Sequence, residues 1–107
     1  MDIYEATIID VRRNTNEKRD ITIVMFSLSD GRHSNYRLKI ENNAFLLEKI
    51  FTYTDTISVD VKGLIGKKMR LCITKRQLAI GHVKDDRFVV LDYLKEMDRK
   101  EVERLLN

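Results

Sequence analysis

An Asp30-Gly31 pair joins two strand-like segments, and it constrains the fold of this chain more than any other short stretch. A type I′ turn needs positive φ at both central residues, and aspartate followed by glycine tolerates that conformation. The runs ITIVMFSLS before the pair and RHSNYRLKI after it therefore predict a β-hairpin over residues 21–40. The rest of the predicted fold is arranged around this hairpin.

A two-residue loop also predicts which hairpin residues lie opposite one another. Counting outward from the turn places Phe26 opposite Asn35 and Met25 opposite Tyr36. One face then carries apolar core residues, namely Ile21, Ile23, Met25, Tyr36, Leu38 and Ile40. The other face sets an apolar stripe beside a polar and basic one: Thr22, Val24, Phe26 and Leu28 beside His33, Asn35, Arg37 and Lys39. Such a face is expected either to be covered or to bind a partner.

The segments that flank the hairpin predict one more strand and one helix. β-Branched residues over 4–13 predict a first strand, followed by a polar loop over 14–20. After the hairpin, apolar residues at helical spacing over 44–51 predict a helix of two to three turns, with Asn43 as its N-cap. Residues 52–66 are expected to form a connector that carries its apolar side chains beneath the sheet.

The C-terminal part predicts further strands and a closing helix. Strict alternation over 67–75 predicts a half-buried strand with Lys68 and Arg70 on its outer side. Residues 77–83 are expected to continue that strand after a bend, with Gly81 as a candidate β-bulge. Residues 87–93 predict the last strand, and a short helix is expected before the end of the chain.

This element order is strand, strand, strand, helix, strand, strand and a terminal helix, in a mainly β chain. It resembles the OB-fold, a small Greek-key barrel that binds single-stranded nucleic acids through the face of strands 2 and 3 and nearby loops. The resemblance covers residues 3–93, and residues 94–107 form the C-terminal helix of the same single domain, 1–107. The lead Leu64-Ile65-Gly66-Lys67-Lys68 into a basic strand is also similar to segments of small single-strand-binding-like proteins of phages and other mobile elements. The chain departs from well-known single-strand-binding proteins because it has no tryptophan.

The charge distribution supports a polyanionic partner. The net charge is only +3, yet residues 61–84 contain seven Lys or Arg and no Asp or Glu. Residues 1–60 carry eight basic and ten acidic residues, and residues 85–107 carry five and seven. Because solvated surfaces usually mix both signs, a single block of one sign indicates a binding surface for an anion, although a basic surface without a partner is the alternative.

The resemblance and the charges together predict a non-sequence-specific nucleic-acid-binding module that prefers single-stranded DNA, as an accessory factor of a phage or mobile element. Aromatic rings would stack on bases, while cations and polar groups would contact phosphates. The candidate binding residues are Phe26, His33, Asn35, Arg37, Lys39, Lys67, Lys68, Arg70, Lys75 and Arg76. The alternative is a protein-interaction or homodimerisation module, in which Val24, Phe26 and Leu28 lie in a seam or beneath the C-terminal helix.

Other function classes find little support in the sequence. The single cysteine, Cys72, excludes an intramolecular disulfide, and two histidines provide no zinc-binding set. Gly63 and Gly66 do not have P-loop spacing, and no nucleophile has a recognisable catalytic motif, so neither an enzyme nor a cofactor is expected. No apolar run is long enough to span a membrane, and the N-terminus is too polar for a signal peptide, which predicts a cytoplasmic protein.

Overall fold

The computed structural model describes residues 2–28, 35–74, 77–94 and 99–106. Six antiparallel strands form one sheet: β1 (Asp2–Thr15), β2 (Asp20–Leu28), β3 (Tyr36–Glu41), β4 (Lys68–Ile73), β5 (Leu78–Lys84) and β6 (Arg87–Leu94). Two α-helices accompany them, α1 (Ala44–Tyr53) and α2 (Arg99–Leu106), and a 3₁₀ turn (Val61–Leu64) precedes β4. The prediction of a mainly β chain is therefore confirmed.

The sheet curls into a half-barrel. The strand order is β3-β2-β1-β4-β5-β6, so β1 is central and pairs with both β2 and β4. The two edge strands, β3 and β6, come close to each other. The prediction that residues 77–83 continue the preceding strand is wrong, because Thr74 N donates to Gln77 O at 3.0 Å and the chain reverses direction there. β5 consequently pairs antiparallel with β4, which gives six strands instead of five.

The predicted hairpin exists, but its register differs by one residue. Met25 lies opposite Arg37 and Phe26 opposite Tyr36, whereas the two-residue loop predicted Met25 opposite Tyr36. Because side chains alternate between faces, this shift exchanges the two faces of β2. Phe26 is therefore fully buried in the barrel core, and its predicted place on an outer, nucleic-acid-binding face is wrong. The proposed turn residues, Asp30 and Gly31, lie outside the described residues.

β2 is buried on both of its faces, which explains why alternation did not fix the register. Its inner face supplies Val24, Phe26 and Leu28 to the main core, together with residues from β1, β3, β4 and α1. Its outer face supplies Ile21 and Ile23 to a second, small cluster with Val102 of α2. Ile21 and Ile23 are each only 1% exposed. The C-terminal helix therefore covers the outer face of β2, although over residues other than those expected.

The helix and connector after β3 follow the prediction in part. Asn43 caps α1 as predicted, since its side-chain oxygen accepts a hydrogen bond from Leu46 N at 3.1 Å. In the connector, Val61 and Leu64 are buried in the main core, as expected. Ile57 and Val59 are fully exposed, however, so the expectation that the whole connector lies beneath the sheet is wrong for them.

The polar loop between β1 and β2 is a tight turn. Asn16 N donates to Arg19 O at 2.8 Å, and both strands extend up to this turn. Beside it, Arg13 Nε and Nη2 donate to the two carboxylate oxygens of Asp20 at 3.0 and 2.8 Å. The hydrogen bond from Arg13 is the main cause that lowers the pKa of Asp20 and raises the pKa of Arg13. This fork-like pair holds the two strands together where they enter the turn.

We expect Asp20→Asn to lower the free energy of unfolding at neutral pH by about 1 kcal/mol, the upper end for a partly exposed ion pair. Because folding lowers the pKa of Asp20, its contribution is present above the ordinary aspartate value of about 3.9 and disappears as the pH falls through the folded value. Urea denaturation of both proteins at pH 7 and in strong acid measures this. Glu17→Gln, an exposed residue of the same turn, is the control. A difference that persists unchanged in strong acid contradicts the explanation.

The register makes a second prediction, since Phe26 is buried and Phe45 of α1 is 68% exposed. Phe26→Ala should lower the free energy of unfolding by about 3–5 kcal/mol, because it leaves a cavity in the core. Phe45→Ala removes the same atoms from the surface and should cost less than about 1 kcal/mol, which includes its contact with the Lys49 ammonium. Equal losses in chemical denaturation would show that the register is wrong.

Candidate nucleic-acid interface

A pocket opens in the sheet where the pairing of β4 with β5 ends. The two strands pair from Ile73 and Leu78 to Arg70 and Gly81, and beyond that point each follows its other neighbour. The pocket at this end has a volume of about 190 Å³. Four elements contribute to its lining, which consists of Glu5, Tyr53, Lys68, Met69, Arg70, Gly81, His82 and Val83.

Two stacked rings form one side of this pocket. The rings of Tyr53 and His82 have centroids 4.1 Å apart and an interplanar angle of 18°. Tyr53 is the last residue of α1, which is anchored by the fully buried Ile50 one turn earlier. His82 follows Gly81 in β5, two residues after the fully buried Ile80. Both rings are thus held by core-packed elements, while Tyr53 remains 42% exposed and offers ring surface to a ligand.

Charged groups also line the pocket. Lys68 and Arg70 alternate with the buried Met69 and Leu71, so the predicted basic outer side of this strand is confirmed. Glu5 of β1 lies opposite Arg70 in the sheet. Its carboxylate is 3.3 Å from Lys68 Nζ and 4.0 Å from Arg70 Nη2. Two cations therefore share one carboxylate, and their side chains remain 59% and 49% exposed.

Gly81 allows the neighbouring strand to approach at the end of this pocket. A Cβ at this position would overlap the carbonyl oxygen of Val89 in β6, so a larger residue would push the strands apart. The register between β5 and β6 shifts at the same place, between Ile80 and Gly81. A β-bulge therefore lies beside Gly81, but its unpaired extra residue, Leu91, belongs to β6, so the prediction of Gly81 as the bulged residue is wrong.

This arrangement, which we call the β4–β5 surface (Tyr53, His82, Lys68, Arg70 and Glu5), combines three chemical capabilities. Aromatic faces stack on planar ligands, and ammonium and guanidinium groups bind phosphates. The carboxylate accepts hydrogen bonds from donors such as amino groups. A ligand with a planar ring and a phosphate satisfies all three.

Of the residues predicted from the sequence, Lys68 and Arg70 lie on the β4–β5 surface, whereas Phe26 does not. The ring of Phe26 lies on the opposite, core side of the curled sheet. A ligand on the outer face cannot contact it there. Val24 and Leu28 are buried in the same core. The alternative prediction, a seam formed by Val24, Phe26 and Leu28, is therefore wrong as well. Homodimerisation through another surface stays a prediction.

The predicted residues of β3 lie on a separate part of the outer face. Arg37 and Asn35 line a second cavity of about 300 Å³, together with Arg12, Met25, Val102 and Glu103. β2 and β1 separate β3 from β4, so Arg37 lies three strand spacings, about 14 Å along the sheet, from the basic strand. α2 borders the cavity through Val102 and Glu103. The hairpin cations and the basic strand therefore do not form one continuous site.

Lys39 is engaged by a neighbouring carboxylate. Its Nζ lies 3.5 Å from Glu41, which also accepts a hydrogen bond from Arg19 Nε at 3.0 Å. The hydrogen bond from Arg19, together with the charge of Lys39, lowers the pKa of Glu41. This acidic group remains ionised and offsets both cations, so Lys39 attracts phosphate less strongly than its exposure suggests.

Among the remaining predicted residues that the structure describes, Lys67 is not part of the lining of the pocket at the β4–β5 surface. Lys67 is half-buried, and its backbone pairs the start of β4 with β1, because Lys67 O accepts from Ile8 N at 2.8 Å. The preceding Gly66 adopts φ +91°, which favours glycine and accounts for the glycine of the LIGKK segment. His33, Lys75 and Arg76 lie outside the described residues.

Three residues of the β4–β5 surface, Tyr53, His82 and Glu5, were not among the predicted site residues. Neither Tyr53 nor His82 belongs to a recognisable sequence motif. They are 29 residues apart in the chain and meet because α1 ends beside β5. Glu5 is added by strand pairing alone. The alternation of β4 provides a signal for Glu5. A residue paired with an outward-facing cation of β4 lies on the same face of the sheet as that cation.

The described part of the chain contains no cluster of three His, Cys, Asp or Glu side chains that could hold a metal ion. Neither α1 nor α2 is long and apolar enough to cross a membrane. No family model matches this sequence, and it has no significant match among the curated proteins or the solved structures.

Proposed function

We propose that this protein binds single-stranded nucleic acid through the β4–β5 surface. The observation that carries the proposal is the stacked pair Tyr53 and His82 in the lining of the same pocket as Lys68 and Arg70. Single-strand-binding surfaces combine these two elements, aromatic platforms for bases and cations for the backbone. In this proposal Tyr53 and His82 provide the aromatic surface for bases that the sequence predicted at Phe26.

The proposal favours single strands over duplexes for a geometric reason. The exposed ring of Tyr53 lies in a pocket between two strands. A base can therefore stack on this ring only after it has left its own base stack. In a duplex, pairing and stacking hold every base away from such a ring, and extrusion costs a few kcal/mol. The preference for DNA over RNA and the role as an accessory factor of a phage or mobile element stay predictions.

We also propose that the half-barrel is an OB-like module. The support is that β1 pairs with both β2 and β4, that α1 stands between β3 and β4, and that the edge strands β3 and β6 approach each other. β6 is an addition to the five strands of that fold. The face of strands 2 and 3, which usually binds the ligand, is here partly covered by α2. Binding beside β4 and β5 is consistent with that covering.

Removing the two cations of the site should weaken binding and its dependence on salt. We expect the double variant Lys68→Gln/Arg70→Gln to bind labelled oligo-dT more weakly and to lower the slope of log K against log salt by about 1.4, from two lost contacts to a single strand. Fluorescence anisotropy over a salt series measures both quantities. The control Lys100→Gln/Arg104→Gln removes the same charges from exposed positions of α2. Equal effects in both variants would assign binding to overall charge, and absence of binding by the wild type at about 50 mM salt would reject the function.

Removing the exposed ring should weaken binding without changing the salt slope. We expect Tyr53→Ala to lower the affinity for oligo-dT by about 1–3 kcal/mol, the contribution of one stacked base. Phe45→Ala removes a more exposed ring from the same helix and should leave the affinity unchanged. The same anisotropy titration provides the comparison. Equal losses for Tyr53→Ala and Phe45→Ala would show that no specific ring is used.

A further inference from the structure

We propose that the β4–β5 surface distinguishes between bases and prefers guanine, with Glu5 as the residue that recognises it. This inference rests on the proposed function, because it needs a single strand whose bases enter the pocket. It goes beyond that function, which requires only stacking and charge. The starting observation is a carboxylate in a site otherwise suited to a polyanion.

The carboxylate of Glu5 is positioned as a hydrogen-bond acceptor within the pocket. Glu5 and Tyr53 line the same cavity, so one pocket offers both a ring for stacking and a carboxylate acceptor. One carboxylate oxygen faces Lys68 at 3.3 Å and the other faces Arg70 at 4.0 Å. Each oxygen can accept more than one hydrogen bond, and the Glu5 side chain is 40% exposed. Both oxygens therefore remain able to accept from a ligand.

Guanine matches this acceptor better than the other bases. Its Watson–Crick edge presents two adjacent donors, N1–H and the N2 amino group, which can meet the two carboxylate oxygens side by side. Adenine and cytosine each present one amino donor next to an acceptor atom. Thymine presents one N–H between two carbonyl oxygens, and both of these repel a carboxylate. The order of preference should therefore be guanine first and thymine last.

The neighbouring cations reinforce this selection. Guanine O6 is an acceptor beside N1–H, and Arg70 carries five N–H donors next to Glu5. Lys68 and Arg70 also offset the charge of Glu5, so that the carboxylate does not prevent a phosphate from approaching. The pocket, of about 190 Å³, contains one ring that is strongly exposed, that of Tyr53, and one base can stack on it. Recognition should thus concern a single nucleotide within a strand.

The test uses short thymidine oligonucleotides in which only the central base is varied. With the full-length protein, we expect the oligonucleotide with a central guanine to bind about fivefold or more tightly than the one with a central thymine, the discrimination of a good bidentate contact. Replacement of the guanine by inosine removes only the N2 amino group and should abolish most of this gain. One guanine per strand also avoids association of guanine-rich strands with each other.

Protein variants then connect the preference to Glu5. We expect Glu5→Gln to bind the all-thymine strand at least as tightly as the wild type does, because a negative charge is lost. The variant should bind the guanine strand no more tightly than the all-thymine strand. Glu48→Gln, the same change at an exposed position of α1, should retain the full preference. Unchanged thermal unfolding of Glu5→Gln would exclude loss of structure as the cause.

The outcomes separate this inference from the proposed function. If no oligonucleotide binds, the function itself is rejected, and base preference with it. If all central bases bind equally, single-strand binding stands and the guanine inference is overturned. Retention of the guanine preference in Glu5→Gln also overturns it, because the base must then be recognised by other residues.

Discussion

Burial of β2 on both faces is the constraint on which the rest of the structure depends. One face provides Val24 and Phe26 to the barrel core, and the other provides Ile21 and Ile23 to the contact with Val102 of α2. A fully buried phenylalanine contributes several kcal/mol, a large fraction of the stability of a domain of this size. The register that buries both faces is therefore favoured over registers shifted by one residue.

The same constraint determines where a ligand can bind. Since α2 covers Ile21 and Ile23, the outer face of the hairpin is only partly accessible, and its cations lie beside acidic partners such as Glu41. On the outer face of β4, Lys68 and Arg70 are about half exposed. The open end of the β4 and β5 pairing adds depth to this side of the sheet. Charge, aromatic surface and concavity thus coincide at one place.

The sequence predicted those features that depend on local patterns. The cap at Asn43 and the alternation of Lys68 and Arg70 with buried neighbours both follow from short-range chemistry, and the structure confirms them. The register of the hairpin could not be predicted in this way. Both alternation sets of β2 are apolar, so only the covering of one set by α2, a contact across 79 or more residues, distinguishes them. The face assigned to Phe26 was wrong for that reason.

The candidate site also combines features that local patterns predict with features that depend on tertiary packing. Its cations were predicted, because charge segregation and alternation are visible along the chain. Its rings were not, because Tyr53 and His82 meet only when α1 is packed beside β5, and an isolated tyrosine or histidine carries no signal of its partner. The pairing of β1 with β4 brings Glu5 opposite Arg70. Tertiary packing therefore assembles the aromatic and acidic parts around a basic strand that the sequence already indicates.

In the proposed binding site, the position of Glu5 has a stronger explanation in base recognition than in stability. Exposed ion pairs contribute about 0–1 kcal/mol each, and the contacts of Glu5 with Lys68 and Arg70 are of this kind. A neutral residue at this place would cost the fold little and would raise the attraction for phosphate. A carboxylate there lowers general affinity for polyanions, while it adds an acceptor that only some bases can satisfy. Specificity arises from such differences between ligands, and a group that penalises the wrong base is one way to achieve it.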